Sequence, residues 1–173
     1  MLSHVRAIRI GLKFPSARLE RNVIIKGNTS NIKLGKNTVI QSGTVIHAGG
    51  MEWCEGKGSV VVGENSTISP NCTLYGAGPG GLIIGKNLDC GPSVGIYASR
   101  SEYENCADRK IFGRVTIGDD VVIFSHAVIG PGVNIGSGAV IAAGSVVLDD
   151  VPAGALAGGT PARIIRSQAR KFE

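Results

Sequence analysis

The sequence predicts an all-β fold in which short parallel strands wind into a β-helix. The first observation is a six-residue spacing of aliphatic side chains, which neither a helix nor an ordinary strand produces. A second is a small residue directly after many of these positions. The third is Asn, Asp or Gly in the fourth place of the hexad, where a tight corner needs a positive φ. One strand and one corner per hexad satisfy all three observations. The longest unbroken run is Ile117, Ile123, Ile129, Ile135, Ile141 and Val147.

The elements follow in order along the chain. Residues 1–21 carry no hexads, and we expect them to cap the first coil. They form either a helix with Val5, Ile8 and Leu12 on one face or an extended lead-in. The β-helix is predicted over 22–160, with a partial coil around Val23 to Gly27 and about five further coils. Residues 161–173 are predicted to form a C-terminal helix, with Pro161 in its first turn and a basic end.

Three stretches interrupt the hexads: 49–58, 78–81 and about 99–113. Insertions in a solenoid fall on one edge and tend to carry function. The longest of them is therefore expected to build the functional site.

Composition limits the remaining possibilities. The 173 residues fit one domain, and no apolar run is long enough to span a bilayer. A net charge of +5 suits phosphorylated ligands, whereas the concentrated basic face or aromatic platforms of a nucleic-acid binder are not visible. The four cysteines show no metal spacing, and Cys72 and Cys90 are predicted to be buried thiols. We expect a cytoplasmic protein without membrane insertion and without a metal.

The repeat and its ending resemble the hexapeptide-repeat acyltransferases over about residues 22–166. The ending consists of Gly144-Ser145-Val146-Val147, Asp150-Val151-Pro152 and Ala157-Gly158-Gly159-Thr160-Pro161-Ala162-Arg163. This resemblance implies a left-handed coil, a homotrimer, and acyl transfer from acetyl-CoA at clefts between subunits. The implied acceptor is a sugar or nucleotide sugar, acetylated at a hydroxyl or an amine, in surface polysaccharide biosynthesis.

Some residues break the repeat and are candidates for function. Bulky side chains take the small place at His47, Tyr75, Tyr97, Phe124 and Leu148, and they are expected to project along a subunit seam. His126 takes a corner place, which is compatible with a merely structural role. His4 and His47 are interpreted as incidental.

Acyl transfer to a hydroxyl needs a base. In related sugar O-acetyltransferases a His follows a Tyr-containing hexad in the excursion, but here that place holds Ser101, with Glu102 beside it. Three alternatives stay open. His126 is the base from a neighbouring subunit, Glu102 is the base, or the acceptor is an amine that needs neither.

The resemblance also implies a donor site. The residues that match the lining of the pantetheine and adenosine are Ser125, Ala143, Gly144, Gly159, Thr160, Arg163 and Arg166. The two arginines are expected to pair with phosphate. Relatives carry Thr and Lys where this chain has Leu148 and Asp149, which removes a hydroxyl and a cation from that edge.

Two other classes of function compete with the acyltransferase. A β-helical carbonic anhydrase needs a close pair of histidines at a metal, and His4, His47 and His126 offer none. A non-catalytic trimeric scaffold derived from a transferase is the alternative to the enzyme.

Overall fold

Short strands account for most of the structure. A computed structural model describes residues 2–102 and 110–168, which include one α-helix, α1 (Leu2–Lys13), and short 3-10 helices at Thr29–Asn31 and Glu52–Cys54. In chain order the strands are β1 (Arg18–Leu19), β2 (Ile24–Gly27), β3 (Ile32–Leu34), β4 (Val39–Ile40), β5 (Val45–Ala48), β6 (Val60–Val62), β7 (Thr67–Ile68), β8 (Thr73–Tyr75), β9 (Leu82–Ile84), β10 (Asp89–Cys90), β11 (Gly95–Tyr97), β12 (Ser99–Ser101), β13 (Lys110–Phe112), β14 (Val115–Ile117), β15 (Val122–Ile123), β16 (Val128–Ile129), β17 (Asn134–Ile135), β18 (Val140–Ile141), β19 (Val146–Val147), β20 (Leu156–Gly159) and β21 (Ala162–Arg166).

Successive strands enter three sheets in turn, so the chain winds into a triangular prism. Sheet A contains β1, β4, β7, β10, β15, β18, β20 and β21. Sheet B contains β2, β5, β8, β11, β16 and β19, and sheet C contains β3, β6, β9, β14 and β17. Apart from β20–β21, all pairs within these sheets are parallel. The predicted parallel β-helix is therefore confirmed, and β2 is the predicted partial coil around Val23 to Gly27.

The hexad aliphatics fill the inside of the prism. In sheet A, parallel pairing stacks Ile40, Ile68, Cys90, Ile123 and Ile141, all fully buried. Strands of a sheet lie only about 4.8 Å apart, so each side chain packs on its counterpart in the next coil. The predicted burial of Cys72 and Cys90 is confirmed: both thiols are free, and their sulfurs lie 4.0 Å apart in the core.

The corners have the predicted backbone conformation. Asn37, Asn65, Asn71, Asn87 and Asp120 all have φ between 56° and 60°. Their side chains also connect coils. Asn37 Nδ2 donates to Asn65 Oδ1 at 3.0 Å, and Asn87 Nδ2 donates to Asp120 Oδ1 at 2.7 Å.

Helix α1 closes one end of the prism. Of the two predictions for residues 1–21, a helix or an extended segment, the helix is confirmed over Leu2–Lys13. Ile10 is 1% exposed, and Ala7 and Phe14 pack against the core beside it. The side of the helix formed by Val5, Ile8 and Leu12, which the sequence picked out, is instead exposed to solvent.

The other end is closed by a strand, so the predicted C-terminal helix is wrong over the described residues. β21 folds back and pairs antiparallel with β20, and Thr160 and Pro161 form the turn with a cis peptide bond between them. The physical reason is the open sheet edge left by the last coil, which a returning strand satisfies. The β-branched Ile164 and Ile165 suit that strand. Residues 169–173 of the predicted helix lie outside the described residues.

Each interruption of the hexads leaves the prism where sheet B passes to sheet C. One lies between β5 and β6, the next between β8 and β9, and the longest between β11 and β14. The longest contains the antiparallel hairpin β12–β13. The prediction that the insertions share one edge is confirmed. We call this edge the B–C edge. The edge where the chain passes from sheet A to sheet B is called the A–B edge.

Candidate active site

An aromatic column runs along the B–C edge. His47 pairs with Tyr75, and Tyr75 with Tyr97, through the parallel register of β5, β8 and β11. The ring centroids are 4.8 Å apart for His47 and Tyr75, and 6.0 Å apart for Tyr75 and Tyr97. Three of the five bulky residues that take the small place of the hexad thus form one continuous stack of rings.

Two excursions add further rings to this column. Trp53, from the first excursion, lies nearly parallel to Tyr75, with centroids 6.4 Å apart. Phe112, from β13, lies nearly parallel to Trp53 at 6.2 Å. Gly78 of the remaining excursion makes room for Phe112, because a Cβ there would lie 2.2 Å from Phe112 Cδ1. All three excursions therefore shape the same aromatic cluster.

Beside the cluster lies a hollow of about 560 Å³ with one aromatic wall and one polar wall. It is lined by Trp53, Tyr75, Ser99, Arg100, Ser101 and Lys110. Apolar walls with a few oriented polar groups are typical of small-molecule sites. This arrangement suits a ligand with a flat, weakly polar face and an anionic or hydroxyl-rich part.

The polar wall is held by the hairpin. Lys110 Nζ donates to Ser101 Oγ at 2.7 Å, and Arg100 donates to the Ser101 carbonyl at 3.2 Å. Lys110 Nζ also lies 5.9 Å from the centre of the Trp53 ring, within the range of a cation–π contact. Because Ser101 accepts from Lys110, its own hydroxyl proton can point elsewhere.

His47 lies at the base of the column and is 5% exposed. Its Nδ1 accepts a hydrogen bond from the Gly49 N–H at 3.3 Å, which leaves the ring proton on Nε2. Burial lowers the pKa of His47 below its usual value, and the positive charge of Lys26 lowers it further. The sequence indicates no role for His47, whereas the structure places its buried imidazole in the aromatic column, against Tyr75. The signal that could have revealed it was the shared hexad place of His47, Tyr75 and Tyr97.

The two predicted base candidates lie at different edges of the chain. His126 is an exposed corner residue on the A–B edge, with φ 64°. Its N–H donates to the Pro92 carbonyl at 3.0 Å, as the N–H of Gly144 does to the Ser125 carbonyl in the next coil. Glu102 is half-buried and follows β12 on the B–C edge. Within one chain the fold therefore does not unite these two residues at a single edge.

The glycine-rich residues of the predicted donor site do come together. Gly144 N donates to the Ser125 carbonyl at 2.9 Å, and Thr160 Oγ1 donates to the Gly144 carbonyl at 3.3 Å. Gly159 N donates to Ser145 Oγ at 3.2 Å. Ala143 and Gly144 are exposed, and a Cβ on Gly144 would meet nothing within 4 Å. The strip is thus an accessible backbone surface at the A–B edge.

The two arginines of that prediction sit on β21. Arg163 pairs with Gly158, and Arg166 with Leu156. Arg163 Nη1 lies 3.2 Å from Asp149 Oδ2, and both side chains are more than two-thirds exposed. Asp149 therefore engages one of the cations expected to meet phosphate. Among the described residues, no group of three His, Cys, Asp or Glu side chains could hold a metal ion.

Comparisons with curated proteins point to transferases. The family model described as "Bacterial transferase hexapeptide (six repeats)" matches residues 114–149. Galactoside O-acetyltransferase of Escherichia coli is 37% identical over 108 residues, which are 62% of this chain and 44% of that protein. A 2,3,4,5-tetrahydropyridine-2,6-dicarboxylate N-acetyltransferase of Clostridium perfringens is 55% identical over 51 residues, 30% of this chain and 22% of that protein. The chain thus spans less than half the length of these curated relatives.

Solved structures share the fold along nearly the whole chain. A mutant of AntD, an N-acyltransferase from Bacillus cereus solved with dTDP and coenzyme A, has a TM-score of 0.72 at 23% identity. That match covers 91% of this chain and 88% of the other. A hexapeptide-repeat acetyltransferase of Vibrio cholerae, solved with acetyl coenzyme A, has a TM-score of 0.59 at 26% identity and covers 96% and 87%.

Fold and repeat together define the class: this is an all-β, left-handed parallel β-helix protein. More particularly, residues 114–149 match the hexapeptide repeat of bacterial transferases, and the resemblance to the hexapeptide-repeat acyltransferases is confirmed.

Proposed function

We propose that the protein is an acyltransferase that moves an acetyl group from acetyl-CoA to a hydroxyl or amine of a sugar, in surface polysaccharide biosynthesis. The observation that carries the proposal is the hollow of the B–C edge, with Trp53 and Tyr75 on one side and Arg100, Ser101 and Lys110 on the other. A sugar ring stacks its C–H face on aromatic rings, and its polar edge meets the donors opposite. The cations suit a phosphorylated carrier such as a nucleotide.

The donor is assigned to the A–B edge, at the strip of Ser125, Ala143, Gly144, Gly159 and Thr160. The exposed backbone there would lie against the pantetheine, and Arg166 and Arg163 would meet phosphate once Asp149 is displaced. Acetyl-CoA bound to the Vibrio cholerae relative supports this choice of donor.

Acyl transfer then needs the two edges to meet, which one chain does not achieve. In a homotrimer, the A–B edge of one subunit faces the B–C edge of its neighbour. The thioester of one chain then lies over the aromatic hollow of the next. This arrangement would also bring His126 of one subunit toward Glu102 of another.

The rim of the hollow favours an amine as acceptor. Lys110 and Arg100 disfavour a positive charge nearby, which lowers the pKa of a bound ammonium and raises the fraction of neutral amine. A neutral amine attacks without a prior base, so the chain needs mainly positioning and a donor for the oxyanion. His126 or Glu102 takes the base role if the acceptor is a hydroxyl.

The test is turnover of acetyl-CoA with hexoses, amino sugars and nucleotide-linked amino sugars, followed as free thiol, together with calorimetric binding of coenzyme A. We expect saturable binding and release of thiol that depends on the acceptor. His126→Ala and Glu102→Gln then separate the base candidates. A fall of about 10²-fold or more in one of them identifies a hydroxyl acceptor, and full activity in both identifies an amine.

The absence of any saturable coenzyme A binding would remove the enzyme and leave the trimeric scaffold. The ion pair of Arg163 with Asp149 is the one observation that favours that alternative, because it occupies a cation of the expected phosphate site.

A further inference from the structure

Helix α1 has two apolar sides, and the fold uses one of them. Ile10 is buried against the first coil, whereas Val5, Ile8 and Leu12 are 48%, 63% and 77% exposed. Residues three, four and seven apart in a helix share a side, so these three form one continuous stripe on the outside. We call it the α1 stripe.

Cations flank the α1 stripe. Arg9 and Lys13 are exposed on the helix itself. Arg18 and Arg21, both exposed, line a groove of about 540 Å³ together with Ile8. The acidic residue of this groove, Glu20, is engaged: it pairs with Arg18 at 3.1 Å and accepts from the Ser42 N–H at 3.2 Å.

The charge of the whole chain is polarised toward this end. Residues 1–51 contain eight Lys and Arg and a single acidic residue, Glu20, whereas residues 52–173 contain ten and twelve. In a solenoid the order of the chain runs along the axis of the prism. The excess positive charge therefore belongs to the end capped by α1, where Lys26, Lys33 and Lys36 are also exposed.

We propose that this end of the prism docks on the surface of an anionic lipid bilayer. The α1 stripe enters the interface between headgroups and acyl chains, and the surrounding Lys and Arg meet the lipid phosphates. An exposed aliphatic stripe beside cations is the pattern of helices that lie on a membrane. Each cation near such a surface contributes to binding. No helix in the described ranges is both long and apolar enough to span a bilayer.

A second copy of the chain is a less suitable occupant. A two-fold contact would bring the same patch against itself, so cations would face cations. A trimer about an axis parallel to the prism instead points three α1 stripes in one direction, and their binding to one surface is multivalent.

Flotation of the full chain with vesicles tests the proposal. One set of vesicles contains phosphatidylcholine alone, and the other also contains phosphatidylglycerol. We expect binding to the second set only, weakened by added salt. Ile8→Ser with Leu12→Ser should lower the affinity about tenfold or more, and Arg9→Gln with Lys13→Gln should lower both the affinity and its salt dependence. The charge-matched control, Lys57→Gln with Lys86→Gln, should bind as the parent does.

Each other outcome contradicts the proposal. One such outcome is that the parent does not float with phosphatidylglycerol vesicles. Another is that the α1 variants bind these vesicles as the control does. If the parent ignores vesicles and Ile8→Ser with Leu12→Ser changes the mass in analytical ultracentrifugation, a second copy covers the stripe. Should that variant unfold, Leu12→Trp in a Trp53→Phe background reports directly, because Trp53 is the sole tryptophan. Its emission should shift to the blue with anionic vesicles, and an unchanged spectrum counts against docking.

Discussion

The indole of Trp53 and the ring of Phe112 lie 6.2 Å apart and within 4° of parallel, although they come from different excursions of the coil. Tyr75 lies nearly parallel to the same indole at 6.4 Å. Trp53 thus links the aromatic column of sheet B to the β12–β13 hairpin. It is also 37% exposed, so one part of its ring remains free for a ligand.

Replacing Trp53 tests whether this ring binds the acceptor. We expect Trp53→Ala to raise the KM for the sugar about tenfold, since a buried aromatic contact is worth about 1 kcal/mol or more, and to leave the KM for acetyl-CoA unchanged. Trp53→Phe, which keeps a ring, should retain most of the acceptor affinity. Steady-state kinetics with each substrate varied in turn makes the measurement. Equal changes in both KM values would speak against an acceptor site here.

The corner conformation of His126 makes a prediction about stability. Asn tolerates a positive φ, whereas a β-branched residue does not. His126→Asn should leave the free energy of unfolding nearly unchanged, and His126→Val should lower it by about 1–3 kcal/mol. Urea denaturation of the two variants measures the difference. Equal stability of both would contradict the φ of 64°.

The column of aliphatic side chains predicts that truncation to alanine lowers the free energy of unfolding more, the more deeply the side chain is buried. Ile96 is fully buried between its neighbours in sheet B, so Ile96→Ala should cost about 2–5 kcal/mol of unfolding free energy. Ile83, on the outer face of sheet C, is 39% exposed and provides the matched control. Its alanine variant should cost clearly less in the same denaturation experiment. A reversed order would be incompatible with a core inside the prism.

His47 predicts a pH dependence of stability. The folded chain lowers the pKa of this imidazole from 6.5, so the unfolded chain takes up the proton at higher pH. The free energy of unfolding should therefore decline as the pH falls from about 6.5 through the pKa of the folded state, and its slope should then level off. His47→Asn should remove this contribution, while His126→Asn keeps it. Identical pH profiles for His47→Asn and the parent would exclude His47 as the source.

Asp149 predicts a gain of coenzyme A affinity on removal of its charge. Asp149→Asn frees Arg163 for phosphate, and an exposed ion pair contributes only about 0–1 kcal/mol, so folding should be little affected. We expect coenzyme A to bind a few-fold more tightly at low salt, as measured by calorimetry. Glu64→Gln removes the same charge at an exposed position elsewhere and should leave the affinity unchanged. Weaker binding by Asp149→Asn would show that the Arg163 pair organises the site instead.

The repeat made the regular part of the fold predictable. Each hexad place has a recognisable residue type: aliphatic at Ile123 and Ile141, and Asn or Asp at the corners Asn71 and Asp120. Parallel pairing then stacks equivalent places of successive coils on each other. The predicted C-terminal helix is wrong because Pro161 and the basic residues are only local signals, whereas the open edge of β20 is a tertiary feature that pairs with β21.

The aromatic hollow was only partly predictable. The shared hexad place of His47, Tyr75 and Tyr97 was visible in the sequence and implies their column. The approach of Trp53 and Phe112 was not visible, because both lie on irregular excursions without a period. The proposed approach of His126 to Glu102 depends on an assembly of subunits, which the pattern within one chain does not encode.

One consequence of gathering every excursion at the B–C edge concerns how this protein could be re-engineered. The ladder hydrogen bonds run from coil to coil, and the excursions interrupt them at this one seam alone among the described residues. Grafting a foreign hairpin between β11 and β14 would therefore reshape the hollow while the coils kept their register.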